Sequence, residues 1–146
     1  MQSSIVSSPS RTSSAPPTGR AVWIGRVVSA VPAAMMLLSA AIKLAHAPAF
    51  VAKWTGPFGF QESSLTPIGW LEAACVALYL FPRTSFFGTI LVGCYLGGAT
   101  CAHVRIGDGT GAMTPILLGV LAWLGMVLRD QRLRPVVWRS AGEASS

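Results

Sequence analysis

Apolar residues are gathered along this chain into long unbroken runs rather than alternating with polar ones. Residues 21–45 read AVWIGRVVSAVPAAMMLLSAAIKLA, 66–81 TPIGWLEAACVALYLF, 86–104 FFGTILVGCYLGGATCAHV and 113–128 MTPILLGVLAWLGMVL. The first run, about 25 residues at about 1.5 Å rise each, crosses a hydrocarbon core of about 30 Å with some tilt. The second and fourth are shorter, so they must thin the bilayer locally, borrow flanking residues or lean on longer neighbours. In lipid, backbone amides and carbonyls are satisfied only in a helix or a closed barrel, and barrel strands would alternate. The pattern therefore predicts an all-α fold, a polytopic membrane four-helix bundle.

Between the first two runs, Phe50, Val51 and Trp54 recur at helical spacing ahead of TGPFGF. This predicts a short amphipathic helix lying flat on the membrane interface, then a turn. Residues 1–20 are rich in Ser and Pro with almost nothing to bury, which predicts a disordered tail. The membrane domain is assigned to 21–134 and a cytoplasmic tail to 135–146. Ala45-His46-Ala47 imitates a signal-peptidase site, but the run before it exceeds an h-region of roughly 7–15 residues, Lys43 interrupts its end and Pro48 follows. The first span is expected to be retained.

Composition strengthens this picture: 52% of residues are hydrophobic and 11% charged, against about one-quarter charged in soluble domains. The net charge of +6 is dispersed at span ends rather than gathered on a face with interleaved aromatics, which excludes nucleic acid as the expected partner. Arg11, Arg20, Arg26, Arg83, Arg129, Arg132, Arg134 and Arg139 stand on the side of the termini, against Lys43, Lys53 and Arg105 on the other. Cytoplasmic retention of basic residues then places both termini in the cytoplasm of a multi-pass cell-membrane protein. Trp23 and Trp70 fall where an interfacial aromatic belt sits, and Trp123 falls deeper, as a packing residue.

Lys43, Glu72, His103, Arg105 and Asp108 all map to the opposite leaflet. A charge at the centre of a span costs about 2.5–3.5 kcal/mol, so the group persists most easily if opposite signs pair, and Glu72 has Lys43 and Arg105 as counter-ions by depth. One reading is structural: Lys43 snorkels, Arg105 and Asp108 pair in a loop, and Glu72 ties two helices together. The other makes Lys43, Glu72 and His103 the lining of a polar pocket, in which a histidine exchanges protons near neutral pH. Ala45-His46 and Thr66-Pro67-Ile68 recur as Ala102-His103 and Thr114-Pro115-Ile116; as repeated hairpins these would add His46 to the site, opposite His103. Gly93, Gly97 and Cys101, with Gly98 beside them, form small-residue ridges on which another helix can pack closely.

Other chemistries find no motif. Cys75, Cys94 and Cys101 contain no C-x-x-C pair and read as small apolar fillers, and two histidines are too few for paired haem ligation. No metal site is expected, and neither a phosphate loop nor a hydrolytic triad is recognisable.

The ordered set S-A-A-I-K-L, I-G-W-L-E, Y-L-G-G-A-T-C-A-H-V-R-I-G-D and W-L-G-M-V-L-R-D resembles the DoxX-like family over about Val31 to Arg134. The resemblance implies a four-helix integral membrane protein, and the family name derives from membrane subunits of quinone-linked sulfur oxidation. It transfers no catalytic set onto these residues. Two functions are expected: a quinone-linked or otherwise redox-associated membrane subunit, or a noncatalytic membrane partner or small-solute transporter. A quinone is the cofactor that the first would take, although no cofactor is derivable from the residues. Lipid is the expected surrounding, with a protein partner or a homo-oligomer.

Overall fold

A computed structural model describes residues 19–129 of the chain. The tails expected at 1–20 and 135–146 lie outside the described residues, apart from Gly19 and Arg20, which open the first helix. The elements are α1 (Gly19–Leu44), α2 (Pro48–Thr55), a 3-10 turn (Glu62–Ser64), α3 (Leu65–Leu80), α4 (Ser85–Arg105) and α5 (Gly109–Arg129). Four of the described helices, α1, α3 with its 3-10 turn, α4 and α5, are long and apolar enough to cross a membrane. The second span gains its length at its start: Glu62–Leu80 provides 19 residues, which sets Glu72 two turns inside α3. The fourth is likewise longer than the apolar run suggests, because α5 begins at Gly109 and carries Pro115 within it.

The long helices form a ring in the order α1–α3–α4–α5, each packed on its two neighbours. Its centre is filled by Ala33, Met36, Cys75, Val76, Tyr79, Val92, Leu96 and Ala122. The outside carries exposed Trp23, Ile24, Leu38, Trp70, Leu71, Phe87, Leu117 and Val120, an apolar surface far beyond the patch size water tolerates and suited to contact with lipid. Two polar side chains are tied to backbone: the Tyr79 hydroxyl donates to the Ala122 carbonyl across the bundle (3.2 Å) and Arg129 donates to the Tyr79 carbonyl (3.0 Å).

Three glycines decide the shape of the ring. A Cβ on Gly88 would come within 3.0 Å of the Leu78–Tyr79 backbone, one on Gly25 within 3.0 Å of the Leu128–Arg129 backbone, and one on Gly125 within 3.0 Å of the Ser29 backbone. These positions pin α4 to α3, and α1 to α5, at the end of the bundle holding the start of α1. The ridge expected from sequence behaves differently: a Cβ on Gly97 or Gly98 meets nothing within 4 Å, and one on Gly93 touches only the Trp123 indole at 3.4 Å. Gly97, Gly98 and Cys101 face outward and bring no helix of this chain close. GxxxG spacing marks a smooth helix face, but whether a neighbour lies on it depends on the register of the whole bundle. Of the three cysteines only Cys75 is a buried filler; Cys94 and Cys101 are exposed.

Candidate functional site

Away from the glycine pins the ring widens around a cavity of about 650 Å³. Its walls come from all four long helices, and its roof from α2 and the segment that follows: Phe50, Lys53, Trp54, Phe58 and Phe60. Trp54 is buried, with its ring 4.6 Å from Phe60 and 5.8 Å from Phe50, and its Nε1 donates to Ser64 Oγ at 2.9 Å. The short helix is therefore where its periodicity places it, but its tryptophan turns into the protein. Indole burial needs a partner for the N–H, and the 3-10 turn supplies one.

Lys43 and Glu72 meet inside this space. The Lys43 Nζ lies 2.9 Å from Glu72 Oε2 and donates to Ser39 Oγ at 2.5 Å, with Lys43 only 5% and Glu72 2% exposed. Ser39 stands one turn before Lys43 on α1, so the ammonium is held by its own helix and by α3. At this depth neither charge survives alone, and the pairing tolerates burial because each partner satisfies the other. The Tyr95 phenol of α4 lies beside the Glu72 carboxylate and lines the same cavity. Tyr95 and Ser39 escape a sequence reading because each is a lone polar residue in an apolar run.

His103 joins the lining from the end of α4. Gly107, at φ +73°, turns the chain back through the left-handed region that favours glycine, and the Asp108 amide closes on the His103 carbonyl at 3.0 Å. Asp108 then caps α5: its Oδ1 accepts from the Gly111 amide at 2.8 Å, while Oδ2 lies 2.9 Å from His103 Nδ1 and 4.0 Å from Lys53 Nζ. The Gly111 amide first, and His103 second, hold the Asp108 carboxyl below the usual carboxylate range. Its stabilising effect is thus complete at neutral pH and is lost as pH falls through that lowered value. Asp108→Asn keeps a capping oxygen but no charge; the expected result is a lower melting temperature near neutrality and a difference from wild type that closes as pH falls below about 4, read by thermal melts in detergent across pH.

The loop pair expected between Arg105 and Asp108 does not form. Arg105 Nη2 instead donates to the Phe58 carbonyl, and its guanidinium lies 5.1 Å from the Phe60 ring centre. Gly107 folds Asp108 back onto His103, which leaves Arg105 to reach the roof. Phe58 also meets His103 edge-on at 5.0 Å. Neither Arg105 nor Asp108 lines the cavity; both fasten its roof. His46 is absent from the lining too: at φ 48°, it contacts Thr66 Oγ1 at 3.0 Å and lies 3.5 Å from Glu62, tying the end of α1 to the start of α3.

Fold and site together define an integral membrane protein, a four-helix bundle with a buried ion pair facing an internal cavity near one end. Within that class, the sequence profile of the DoxX-like family matches residues 27–125, and the chain belongs to that family. No curated protein and no solved structure matches it.

Proposed function

We propose that the chain is the quinone-binding membrane subunit of a redox system. The observation that carries this reading is the buried Lys43–Glu72 pair at the wall of a largely apolar cavity. Its volume, about 650 Å³, falls in the range of roughly 300–1,000 Å³ of small-molecule sites, which are apolar with a few convergent polar groups. Met35, Met36, Ile68 and Leu118 supply apolar wall, and Lys43, Glu72, Tyr95 and His103 supply the polar groups. A quinone, when bound, would supply the capacity to accept electrons from a partner subunit.

The chain's residues hold the head group. Lys43 offers N–H donors to a carbonyl oxygen, and Glu72, beside the Tyr95 phenol, keeps the ammonium in place. His103 has Nδ1 oriented by Asp108 at 2.9 Å, which leaves Nε2 outside that pair to meet a head group. The excess of arginines beside the termini supports cytoplasmic termini, which puts this cavity in the outer leaflet. Reporter fusions check the orientation: a cytoplasmic signal from Ser140 and an exterior one from Gly59 are expected, and an exterior signal from Ser140 would reverse the assignment.

Purification with native lipid followed by solvent extraction tests the binding. The expected result is quinone at a stoichiometric level, lost when His103 is replaced by Ala; its absence from the wild-type protein rejects this reading. A second reading, a noncatalytic partner protein, is favoured by the groove of about 850 Å³ between α4 and α5, lined by Gly93, Gly97, Gly119 and Trp123. A stoichiometric co-purifying membrane protein without quinone supports it.

A further inference from the structure

Residues that line the cavity also reach the outer surface of the bundle in two seams, α3–α4 and α5–α1. On α4, Gly88 touches the Leu78–Tyr79 backbone of α3, and Tyr95 and Ala102 follow it at intervals of seven residues along the same stripe. On α3, Leu71 precedes Leu78 by the same interval. At the Gly88 end this stripe is in backbone contact; at the other end its residues, with Ile68 and Gly98, line the cavity instead. Leu71 is 57% exposed and Cys94 and Gly98, both cavity-lining, are exposed as well. A Cβ on Gly98 meets nothing within 4 Å.

Toward the aqueous side, the roof is fastened from α4 and the α4–α5 turn to the segment after α2. The fastenings are the Arg105 donation to the Phe58 carbonyl, the Arg105–Phe60 stacking at 5.1 Å, the Phe58–His103 edge contact at 5.0 Å and the Lys53–Asp108 approach at 4.0 Å. The α5–α1 seam also has exposed lining residues, Met35 and Thr114, but it carries bulkier Met35 and Leu118 with Thr114 and Ser39, whereas the α4 side of the α3–α4 seam carries Cys94, Gly98 and Ala102.

We infer that the α3–α4 seam between Ile68–Leu71 and Cys94–Gly98–Ala102 is a lateral portal, through which a molecule dissolved in the membrane reaches the Lys43–Glu72 pair head first. This deepens the quinone reading and rests on it. The ligand class is a slender amphiphile with a hydrogen-bond-accepting head and an apolar tail: the head passes the small residues of α4, and the tail remains in the seam among lipid chains. A water-soluble solute would instead have to unfasten the roof.

A portal changes rates in both directions more than it changes affinity, which separates it from a binding contact. The test uses the full chain in lipid nanodiscs, decyl-ubiquinone as probe and the quenching of tryptophan fluorescence, Trp54 being in the cavity roof. Gly98→Phe fills the seam without meeting another atom at its Cβ. It is expected to slow association and dissociation each by about tenfold or more, with a smaller change in the equilibrium constant. Arg105→Ala, which loosens the roof, should leave both rates near wild type. The portal is overturned if Gly98→Phe leaves the rates unchanged, if it weakens affinity with unchanged association, if Arg105→Ala alone accelerates exchange, or if Thr114→Phe in the α5–α1 seam is the substitution that slows it. Binding by the wild-type protein with any of those four outcomes removes the portal and keeps the quinone reading; no binding by the wild-type protein removes both.

Discussion

Replacing Glu72 by Ala is expected to destabilise the bundle by about 3–5 kcal/mol, the cost of leaving a buried charge without its partner. Lys43 would remain almost fully enclosed with only Ser39 Oγ to accept from it, and the roof above offers an aromatic face, Phe50, at 5.2 Å rather than a counter-ion. Glu72→Gln should lose nearly as much, because the amide oxygen accepts a hydrogen bond but brings no charge. The double replacement Lys43→Met with Glu72→Leu removes both charges with side chains of similar length, and stability should return to wild type or exceed it. Thermal melts in detergent give the comparison. The double variant also separates structure from function: folded protein that no longer binds quinone places the pair in the site, and folded protein that binds it unchanged reduces the pair to a tie between α1 and α3.

The second large effect is expected at Gly88. A methyl group there would press on the Leu78–Tyr79 backbone, which cannot rotate away as a side chain would, so Gly88→Ala must push α3 and α4 apart. Overpacking of this kind costs about 1–3 kcal/mol, with larger values where backbone is the obstacle. At Gly98 the same change meets open space, and alanine's better helix propensity should leave stability equal or raise it by up to about 1 kcal/mol. Measured side by side, the two substitutions report whether the bundle is pinned at one end: equal effects would mean that α3 and α4 approach each other uniformly along their length.

The architecture was legible in the sequence because lipid imposes a simple rule, an apolar run long enough to cross, and the four runs obey it. The pairing of Lys43 with Glu72 was legible for a related reason. Two opposite charges at matching depth on adjacent helices have few other ways to be accommodated. What escaped was register and turn geometry. Charge alone matches Arg105 to an acid, yet it binds a backbone carbonyl at Phe58, an acceptor carrying no sequence signature. The partnership of His103 with Asp108 left a clearer trace, since a glycine followed by an aspartate ahead of an apolar run is a helix end and a helix N-cap in succession. Gly88, Gly25 and Gly125 carry less sequence signal than the denser Gly93–Gly98 cluster, because their significance lies in the helix opposite. Trp54 reads as an interfacial anchor until Ser64 is known to stand within reach of its indole N–H.

The family and the four spans establish an integral membrane protein; the chemistry proposed for it depends on what occupies the space beside Lys43 and Glu72. Photolabelling in native-lipid proteoliposomes with an azidoquinone, followed by peptide mapping, examines that most directly. The expected result is label concentrated in the peptides spanning Ser39–Phe60 and Tyr95–His103 and displaced by excess unlabelled quinone. Label confined to the α4–α5 groove around Trp123, or spread over the lipid-facing surface without displacement, would contradict it.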